Sequence, residues 1–413
     1  MTLTSIHRRT CRLCDSPRVE LAVPIKASPV ADAYVDAEHI RERQELFPLD
    51  LYLCRECGHV QLLDIVDPAI LFGSYIYATS ISLGLVEHFR VSVDSIMRRY
   101  PARAGSLAVD IGSNDGTVLR LFQALGLRVL GIDPASEIAL KATASGVETL
   151  PSFFTSKLAR EIAARHGRAA MITANNVFAH SDSLADMADG IRGLLADDGV
   201  FVFEVSYLAD IVDKLLFDTV YHEHLCYHSI KPFVQFFHRH GLELVDVERL
   251  PTKGGSIRGY VQLRGAGRAV APVVGELMAE ETARGLDQPP LFQRYTYKIE
   301  SIKQELLAFL KAQKAAGKRI AGFGASATVT TLIYNFELAP YLDFLVDDNQ
   351  SRHGLFSPGC HLPVLSPDTL LERRPDFVVV LAWQYAAPIL KKHARYREQG
   401  GVFVLPLPEL KVV

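Results

Sequence analysis

The sequence lacks the features that would assign the protein to a membrane or to nucleic acid. No uninterrupted apolar stretch reaches the roughly 18 residues that a membrane-spanning helix needs. Residues 1–10 contain arginine and histidine but no apolar run, so no signal peptide is predicted. A net charge of -3 and a pI near 6.5 leave no basic excess for nucleic acid or an anionic membrane. We therefore expect a cytoplasmic protein, monomeric, with neither nucleic acid nor membrane as a partner.

The composition is that of an ordinary globular protein of several domains. Hydrophobic residues make up 49% of the 413 residues and charged residues 22%, so large cores can form. Domains usually hold about 100 to 200 residues. The length therefore predicts two or three of them.

Cysteine is scarce, but four of the six cysteines form two Cys-x-x-Cys pairs, Cys11 with Cys14 and Cys54 with Cys57. Each short turn can present two thiolates to one ion, which is typical of tetrahedral zinc. In a reducing cytoplasm this interpretation is favoured over a disulfide, with redox-active or vestigial thiols as the alternatives. Four thiolates leave no open coordination position, so the predicted zinc is structural.

A glycine-rich loop follows a buried strand in residues 106–120. Residues 109–116 read Val-Asp-Ile-Gly-Ser-Asn-Asp-Gly, and the next strand ends at Asp133, about 20 residues on, where a ribose diol would be bound. The second glycine of the NAD loop is missing, and the Asp-x-Gly-x-x-x-Gly pattern fits S-adenosylmethionine better. A third strand leads to Asn175 and Asn176, and alternating strand and helix patterns predict a doubly wound sheet.

Residues 221–225, Tyr-His-Glu-His-Leu, combine two imidazoles, a carboxylate and a phenol. Histidine is suited to proton transfer near neutral pH, so acid/base chemistry is the favoured interpretation. A zincin-type metal site needs His-Glu-x-x-His, but the fifth position here is Cys226. A metal site and a structural histidine cluster are the alternatives.

A second strand, glycine loop and helix begins at residue 319. The loop carries Gly322 and Gly324 but ends in Ala-Ser-Ala instead of a third glycine, so a dinucleotide site is weakly indicated. Trp383 lies at the end of a later strand, where it either borders a ligand or belongs to the core. The turn at residues 253–258 either contacts a ligand or is a hairpin with solvated charges.

The order of these motifs resembles the three-domain nucleotide-sugar C-methyltransferases of deoxysugar biosynthesis. The resemblance rests on the two cysteine pairs and on residues 109–116, 175–180, 221–225 and 254–258. It implies an α/β protein with an N-terminal zinc-binding domain (1–68), a central Rossmann-like class I methyltransferase domain (69–268) and a C-terminal Rossmann-like domain that helps to hold the nucleotide sugar (269–413). Relatives often carry Lys-Gly near residues 327–329, where this chain has Thr328-Val329. That departure puts the details of phosphate or base recognition in doubt.

The resemblance also implies a reaction. S-adenosylmethionine would methylate C3 of a 4-keto-6-deoxyhexose linked to a nucleoside diphosphate, with dTDP or GDP favoured. His224 would be the base, Glu223 and Tyr221 would orient the sugar, and His180 and Tyr75 would line the same pocket. The predicted cofactor-binding residues are Tyr77, Asp110, Gly112, Ser113, Asn114, Asp115, Gly116, Asp133, Asn175, Asn176 and Phe178. The predicted substrate-binding residues are His222, Lys253, Ser256, Arg258, Gly324, Ser326, Asp347, Asn349 and Trp383.

Three points stay open in the sequence. Either Tyr75 or Tyr77 could face the active site, and His222 could instead point away from it. Methylation could occur at C5, or on oxygen or nitrogen, instead of at C3. A keto-sugar oxidoreductase or epimerase that uses NAD(P) at the second glycine loop, and a zinc-scaffold binding protein without activity, are alternatives from other functional classes.

Overall fold

The computed structural model describes residues 5–68, 71 and 84–413. Tyr75 and Tyr77, which the sequence assigns to the active site, lie outside the described residues. In the part of the chain that is described, no helix is both long and apolar enough to cross a bilayer.

The N-terminal segment is built from short antiparallel strands around the two cysteine pairs. The strands are β1 (Ser5–His7), β2 (Val19–Val23), β3 (Leu51–Cys54), β4 (Val60–Leu62) and β5 (Asp64–Val66). β2, β3 and β4 form one sheet, whereas β1 pairs with β5. The segment between β2 and β3 reaches the C-terminal part of the chain, where the Thr330 hydroxyl donates to the Ala31 carbonyl (2.6 Å).

The central part alternates helices and strands, as the sequence predicts. Its elements are α1 (Leu85–Arg99), β6 (Leu107–Ile111), α2 (Thr117–Ala124), β7 (Arg128–Ile132), α3 (Ser136–Ala144), β8 (Thr149–Leu150), α4 (Ser156–His166), β9 (Ala169–Asn175), α5 (Leu184–Leu194), β10 (Leu195–Ser206), α6 (Leu208–Asp213), β11 (Cys226–Tyr227), α7 (Ile230–Arg239), β12 (Leu242–Leu250) and β13 (Ser256–Leu263). Short 3-10 turns lie at Phe217–Thr219 and Thr252–Gly254.

Seven of these strands form one sheet in the order β12-β13-β10-β9-β6-β7-β8, in which β13 alone runs antiparallel to its neighbours. All five residues of β6 are buried because helices cover both faces of a mostly parallel sheet. The strand order reverses direction between β6 and β9. Ligands of doubly wound sheets bind outside the carboxyl ends of the strands at this switch point. The fold therefore places the binding crevice beside the loops that follow β6 and β9.

The strand β11 does not belong to the seven-stranded sheet. It pairs antiparallel with β4, so that the N-terminal sheet has the order β11-β4-β3-β2. Leu62 N also donates to the Leu225 carbonyl (2.9 Å). The segment directly after residues 221–225 is thereby fixed to the cysteine-bearing part of the chain.

The C-terminal part forms a second α/β unit. Its elements are α8 (Pro272–Arg284), α9 (Pro289–Ala315), β14 (Ile320–Phe323), α10 (Ala327–Phe336), β15 (Phe344–Val346), β16 (Val364–Leu365), α11 (Thr369–Arg373), β17 (Phe377–Val380), α12 (Ala386–Lys392), α13 (Ala394–Glu398), β18 (Val402–Leu405) and β19 (Lys411–Val412). The sheet order is β16-β15-β14-β17-β18-β19, with only β19 antiparallel. The prediction of a zinc-binding segment followed by two Rossmann-like units is confirmed.

Candidate active site

A small recess lies where the loops after β9 and β10 meet the loop before β11. The lining residues are Asn176, Ala179, His180, Val205, Ser206, Ile211, Thr219, His224, Cys226, Tyr227 and Lys253. Four of them, Asn176, His180, His224 and Lys253, are predicted site residues, and they come from three separate parts of the sequence. The fold thus brings together side chains that are up to 77 positions apart in the sequence, from Asn176 to Lys253.

His224 has defined partners on both ring nitrogens. Nδ1 lies 2.8 Å from the Thr219 carbonyl oxygen, and Nε2 lies 2.9 Å from the Tyr221 hydroxyl. A carbonyl can only accept a hydrogen bond, so Nδ1 carries the hydrogen and Nε2 presents its lone pair. The Tyr221 hydroxyl then donates to Nε2. This arrangement sets the tautomer that a general base needs.

Burial keeps His224 uncharged. Burial outweighs the opposing effect of the Thr219 carbonyl and, with a smaller contribution from the charge of Lys253, lowers the pKa of His224 to about 4. The His180 ring packs edge-on against that of His224, with centroids 5.0 Å apart, and burial also lowers the pKa of His180. Both imidazoles are therefore neutral near pH 7, and a neutral imidazole can accept a proton.

Burial also favours the neutral form of Glu223, but for a carboxyl this means a higher pKa. Burial and the charge of Asp32, opposed by that of Lys253, raise the pKa of Glu223 to about 7. Lys253 is an exposed residue in a turn with a left-handed backbone (φ 52°), and part of it lines the recess. Loss of hydration where its side chain packs against the protein lowers the pKa of Lys253, although the charges of Glu204 and Glu223 oppose the shift. Glu223 and Lys253 thus both affect the electrostatics around His224.

The cofactor loop has the backbone that close approach to a ligand requires. Gly112 and Gly116 have φ values of 71° and 80°, a region that side chains disfavour. A Cβ on Gly112 would lie 2.5 Å from Val177 Cγ2, so the loop after β9 packs directly on the glycine. Asp133 supports the loop, since its Oδ2 accepts from Asn114 N (2.8 Å) and its Oδ1 from Ala135 N (2.9 Å).

Other predicted cofactor residues lie around this loop. Asp115 accepts from the Thr117 backbone N–H (3.1 Å) and hydroxyl (2.6 Å), and Asn176 N donates to the Glu204 carbonyl (2.7 Å). Asn175 is paired with Glu204 across β9 and β10, and Ser113 is buried. Asp110 is buried at the end of β6, where its Oδ1 accepts from the Thr173 hydroxyl of β9 (2.6 Å) and burial raises its pKa to about 7.

Phe178 is placed differently from the sequence prediction, which gives it to the cofactor. Its side chain is fully buried and packs with Phe201, Phe203 and Phe233, at centroid distances of 5.4 to 6.4 Å. The side chain points into the core beneath the sheet because β9 has already ended and the chain turns inward. This environment is that of a core residue and does not favour contact with the cofactor.

His222, Ser256 and Arg258 have structural partners instead of facing the recess. His222 is buried against Phe47, with Nε2 3.4 Å from the Phe47 carbonyl oxygen. The Ser256 hydroxyl donates to the Thr252 carbonyl (3.0 Å). Arg258 is buried and pairs with Glu204 (2.9 Å) and Glu248 (3.3 Å). These placements favour structural roles over the substrate contact that the sequence suggests.

The predicted substrate residues of the C-terminal unit cluster at the carboxyl ends of β14 and β15. The Asp347 carboxylate accepts from Ala325 N (2.6 Å) and Asn349 N (2.7 Å). Ser326 precedes α10, and its hydroxyl lies 3.0 Å from that of Thr328. Gly324 has a φ of 118° and contacts Ala382, the residue before Trp383. The Trp383 indole N–H donates to Asp218 Oδ2 (2.8 Å), so its polar atom is bound within the protein.

The four cysteine sulfurs of the N-terminal segment all lie within 4.8 Å of one another. Cys11 and Cys57 Sγ are 3.6 Å apart, and Cys14 and Cys54 Sγ are 3.5 Å apart. Zinc–sulfur bonds of about 2.3 Å in a tetrahedron place sulfurs about 3.8 Å apart. The donor set and spacing therefore fit one structural zinc ion held by Cys11, Cys14, Cys54 and Cys57.

One functional group is not marked by any motif, the Thr219 carbonyl that binds His224. A backbone carbonyl is present at every position, so only the fold reveals its role. Asp218, which accepts from Trp383, is likewise an ordinary loop aspartate in the sequence. Its proximity to residues 221–225 was the only signal that could have indicated it.

The doubly wound sheet, the glycine loop with Asp133, and the recess beside them define an S-adenosylmethionine-dependent methyltransferase. Family models match along the chain: a zinc binding domain over residues 11–72, a methyltransferase domain over 87–247 and a C-methyltransferase C-terminal domain over 251–408. The chain is also 34% identical over 404 residues to the C-methyltransferase NovU of Streptomyces niveus, covering 98% of this chain and 96% of that protein. The chain belongs to the C-methyltransferase family, with S-adenosylmethionine and zinc as its cofactors.

Solved structures resemble only part of the chain. The PH0226 protein of Pyrococcus horikoshii OT3 matches 48% of this chain and 99% of its own, with 13% identity and a TM-score of 0.36. The magnesium protoporphyrin IX methyltransferase ChlM of Synechocystis matches 44% of this chain and 84% of its own, with 16% identity and a TM-score of 0.33. Similarity at this level carries no conclusion about substrate.

The cysteine cluster predicts one zinc ion per chain. Substitution of one cysteine from each pair, Cys11→Ala with Cys54→Ala, should abolish zinc binding and lower the midpoint of thermal unfolding, because zinc binding contributes folding free energy. Atomic absorption of the purified protein measures the metal content. Cys360→Ala, outside the cluster, is the matched control and should retain zinc. Full zinc content in the double variant would contradict the assignment.

Variants of Asp133 and Asp347 test which of the two α/β units binds the cofactor. Asp133→Ala should weaken binding of S-adenosylhomocysteine by about tenfold or more, because hydrogen bonds to a carboxylate are worth about 1.5 to 3 kcal/mol. Asp347→Ala removes the corresponding carboxylate in the C-terminal unit and should leave this affinity unchanged. Isothermal titration calorimetry of both variants is the measurement. Equal weakening by the two substitutions would refute the assignment of the cofactor to the first loop.

Proposed function

We propose that the enzyme methylates C3 of a 4-keto-6-deoxyhexose linked to a nucleoside diphosphate, with His224 as the base. One observation carries the proposal. The Thr219 carbonyl binds Nδ1 of His224, so that Nε2 presents its lone pair to the Tyr221 hydroxyl in a recess that Asn176 also lines, next to the residue Val177 that packs on Gly112 of the cofactor loop. Transfer of a methyl group to carbon needs such a base, because the carbon must first lose its hydrogen.

The recess supplies the groups that this step requires. The proton of the carbon next to the ketone passes to His224 Nε2, and the electron pair of the C–H bond moves into an enolate. The Tyr221 hydroxyl donates to this lone pair in the structure, and in the proposed step the carbon acid takes its place at Nε2. S-adenosylmethionine supplies the electrophilic methyl group on its sulfonium sulfur.

Charge that develops on the ketone oxygen needs preorganised donors. The Lys253 ammonium lies within electrostatic range of Glu223, His180 and His224. Protonated Glu223 is a second donor, since its pKa near 7 keeps a large fraction neutral at physiological pH. We assign to both the stabilisation of the enolate oxygen, and to His180 the packing that orients His224.

The substrate class rests on the C-terminal unit and on the resemblance. Gly324, Ser326 and the Asp347–Asn349 region surround the start of α10, where backbone amides favour an anion such as a diphosphate. We infer that the nucleotide, dTDP or GDP, binds there and that the sugar extends to His224. Membership of the C-methyltransferase family favours this over the oxidoreductase or epimerase alternative, and carbon over oxygen or nitrogen as the methylated atom.

His224→Asn should abolish proton abstraction without loss of cofactor binding. Exchange of solvent deuterium into C3, with S-adenosylhomocysteine in place of the methyl donor, should fall at least about 100-fold, since a general base contributes about 10² to 10⁴. The assay uses 4-keto-6-deoxyhexoses linked to dTDP, GDP, UDP or CDP and follows the exchange by NMR.

The control for this variant is His166→Asn, on the outer helix α4, which should exchange at the wild-type rate. S-adenosylhomocysteine should still raise the unfolding temperature of His224→Asn. Exchange by His224→Asn at the wild-type rate would transfer the role of base to another residue, first to His180. Methylation without any exchange in the wild type would favour an oxygen or nitrogen acceptor.

The pKa of Glu223 predicts how turnover depends on pH. Its pKa of about 7 means that the carboxyl donates below that pH and is ionised above it, so turnover should fall as the pH rises through 7. His224, with a pKa of about 4, is already neutral there and adds no change. Glu223→Gln, whose amide donates at every pH, should flatten the profile of kcat against pH. A fall near pH 7 that persists in Glu223→Gln would belong to another group.

A further inference from the structure

Four consecutive residues, 217–220, each make one contact that bears on the position of His224. The Phe217 ring stacks on Phe336 (centroids 5.1 Å), and Asp218 Oδ2 accepts from the Trp383 indole N–H (2.8 Å). The Thr219 carbonyl binds His224 Nδ1 (2.8 Å), and the Val220 carbonyl accepts from the Thr331 hydroxyl (2.7 Å). Three of the four contacts are with the C-terminal unit, and the remaining one is with the base.

The Thr219 carbonyl lies between two of these anchors. Its direction depends on the backbone of Asp218 on one side and Val220 on the other, and both are fixed to the C-terminal unit. Asp218 and Thr331 are both 1% exposed, so neither hydrogen bond can be exchanged for one to solvent. Buried polar groups keep their partners because a buried group that loses its partner cannot recover the hydrogen bond from water. The turn is therefore held rigidly at the residues that flank the carbonyl.

The two anchoring elements also flank the second glycine loop. Thr331 is in α10, which begins directly after Ser326, and Trp383 follows Ala382, whose N–H donates to the Phe323 carbonyl (3.0 Å). A Cβ on Gly324 would lie 2.9 Å from Ala382 Cβ, so the loop and the Trp383 turn are in direct contact. The elements that surround the proposed nucleotide site thus also hold the turn that orients the base.

We propose that Asp218, Thr331 and Trp383 form an interdomain clasp that positions His224 for proton abstraction. These residues do not touch the reacting atoms. They act through the Thr219 carbonyl, and their role rests on the proposed function of His224 as the base. Small misplacement of a catalytic group can cost about 100-fold in rate, so loss of the clasp should be measurable in the rate of proton abstraction.

Two conservative variants, each of which removes one hydrogen-bond donor, test the clasp. Trp383→Phe removes the indole N–H and keeps an aromatic ring, and Thr331→Val removes the hydroxyl and keeps the shape. Each should lower the rate of deuterium exchange at the substrate carbon by about tenfold or more. The KM for the nucleotide sugar and the affinity for S-adenosylhomocysteine should stay within about twofold of wild type.

Asp218→Asn retains an oxygen that can accept from Trp383, and Thr331→Ser retains the hydroxyl that donates to Val220. Both variants should keep the exchange rate within about twofold of wild type. Tyr385→Phe, in the same turn as Trp383 but exposed, is the matched control and should behave as wild type. Thermal unfolding of each variant, followed by circular dichroism, sets an assay temperature at which all are folded. Rescue by Asn and Ser separates a positioning role from a general loss of structure.

Each result has a defined meaning. Wild-type exchange by both Trp383→Phe and Thr331→Val, with exchange abolished in His224→Asn, would overturn the clasp and leave the base assignment intact. Equal losses in Thr331→Val and Thr331→Ser would also overturn it, because the hydroxyl would then not be the cause. Wild-type exchange by His224→Asn would instead overturn the proposed function on which the clasp rests.

Discussion

The site depends on one hydrogen bond, from His224 Nδ1 to the Thr219 carbonyl. It selects the tautomer in which Nε2 carries no hydrogen and accepts from the Tyr221 hydroxyl, and burial keeps this nitrogen unprotonated near pH 7. Burial alone would lower the pKa of the ring without deciding which nitrogen carries the hydrogen. The hydrogen bond to Thr219 alone would raise the pKa above the ordinary value of about 6.5, so that a part of the imidazole would be protonated near pH 7. Both are needed for a base that is oriented and neutral.

The loop that carries this bond is fixed from two sides. On one side, β11 extends the cysteine-bearing sheet, and Cys226 N donates to the Ala179 carbonyl (3.1 Å), next to His180. Arg12, which lies between two of the zinc ligands, pairs with Asp182 (2.9 Å), two residues beyond His180. On the other side, the clasp binds the turn at residues 217–220. The zinc-binding segment therefore supports both histidines of the recess, although its metal takes no part in the chemistry.

The sequence predicted the parts of the site that depend on local pattern. The cysteine pairs, the loop at Gly112 and Gly116, and the order of strands and helices all follow from spacing and periodicity, and the three-part fold was confirmed. The surroundings of individual side chains were harder to predict from the sequence. Phe178 follows a strand end, where one residue of shift exchanges a ligand-facing position for a core position. Trp383 has an indole N–H that a ligand or a protein carboxylate could accept, and only the packing of the C-terminal unit on residues 217–220 brings Asp218 to it.

The two loop aspartates show why a motif does not by itself identify a ligand. Asp133 accepts from the backbone of the first glycine loop and from a residue just beyond itself, and Asp347 makes the same two kinds of hydrogen bond in the C-terminal unit. A carboxylate at the end of the second strand thus stabilises a glycine loop whatever the loop binds. What differs is the surroundings. The first loop packs on Val177, beside a recess that holds two imidazoles and Lys253, whereas the second contacts Ala382, which precedes Trp383. The division that we propose, between a unit for chemistry and a unit for recognition, therefore rests on what each loop faces, and the proposed clasp would connect the two units.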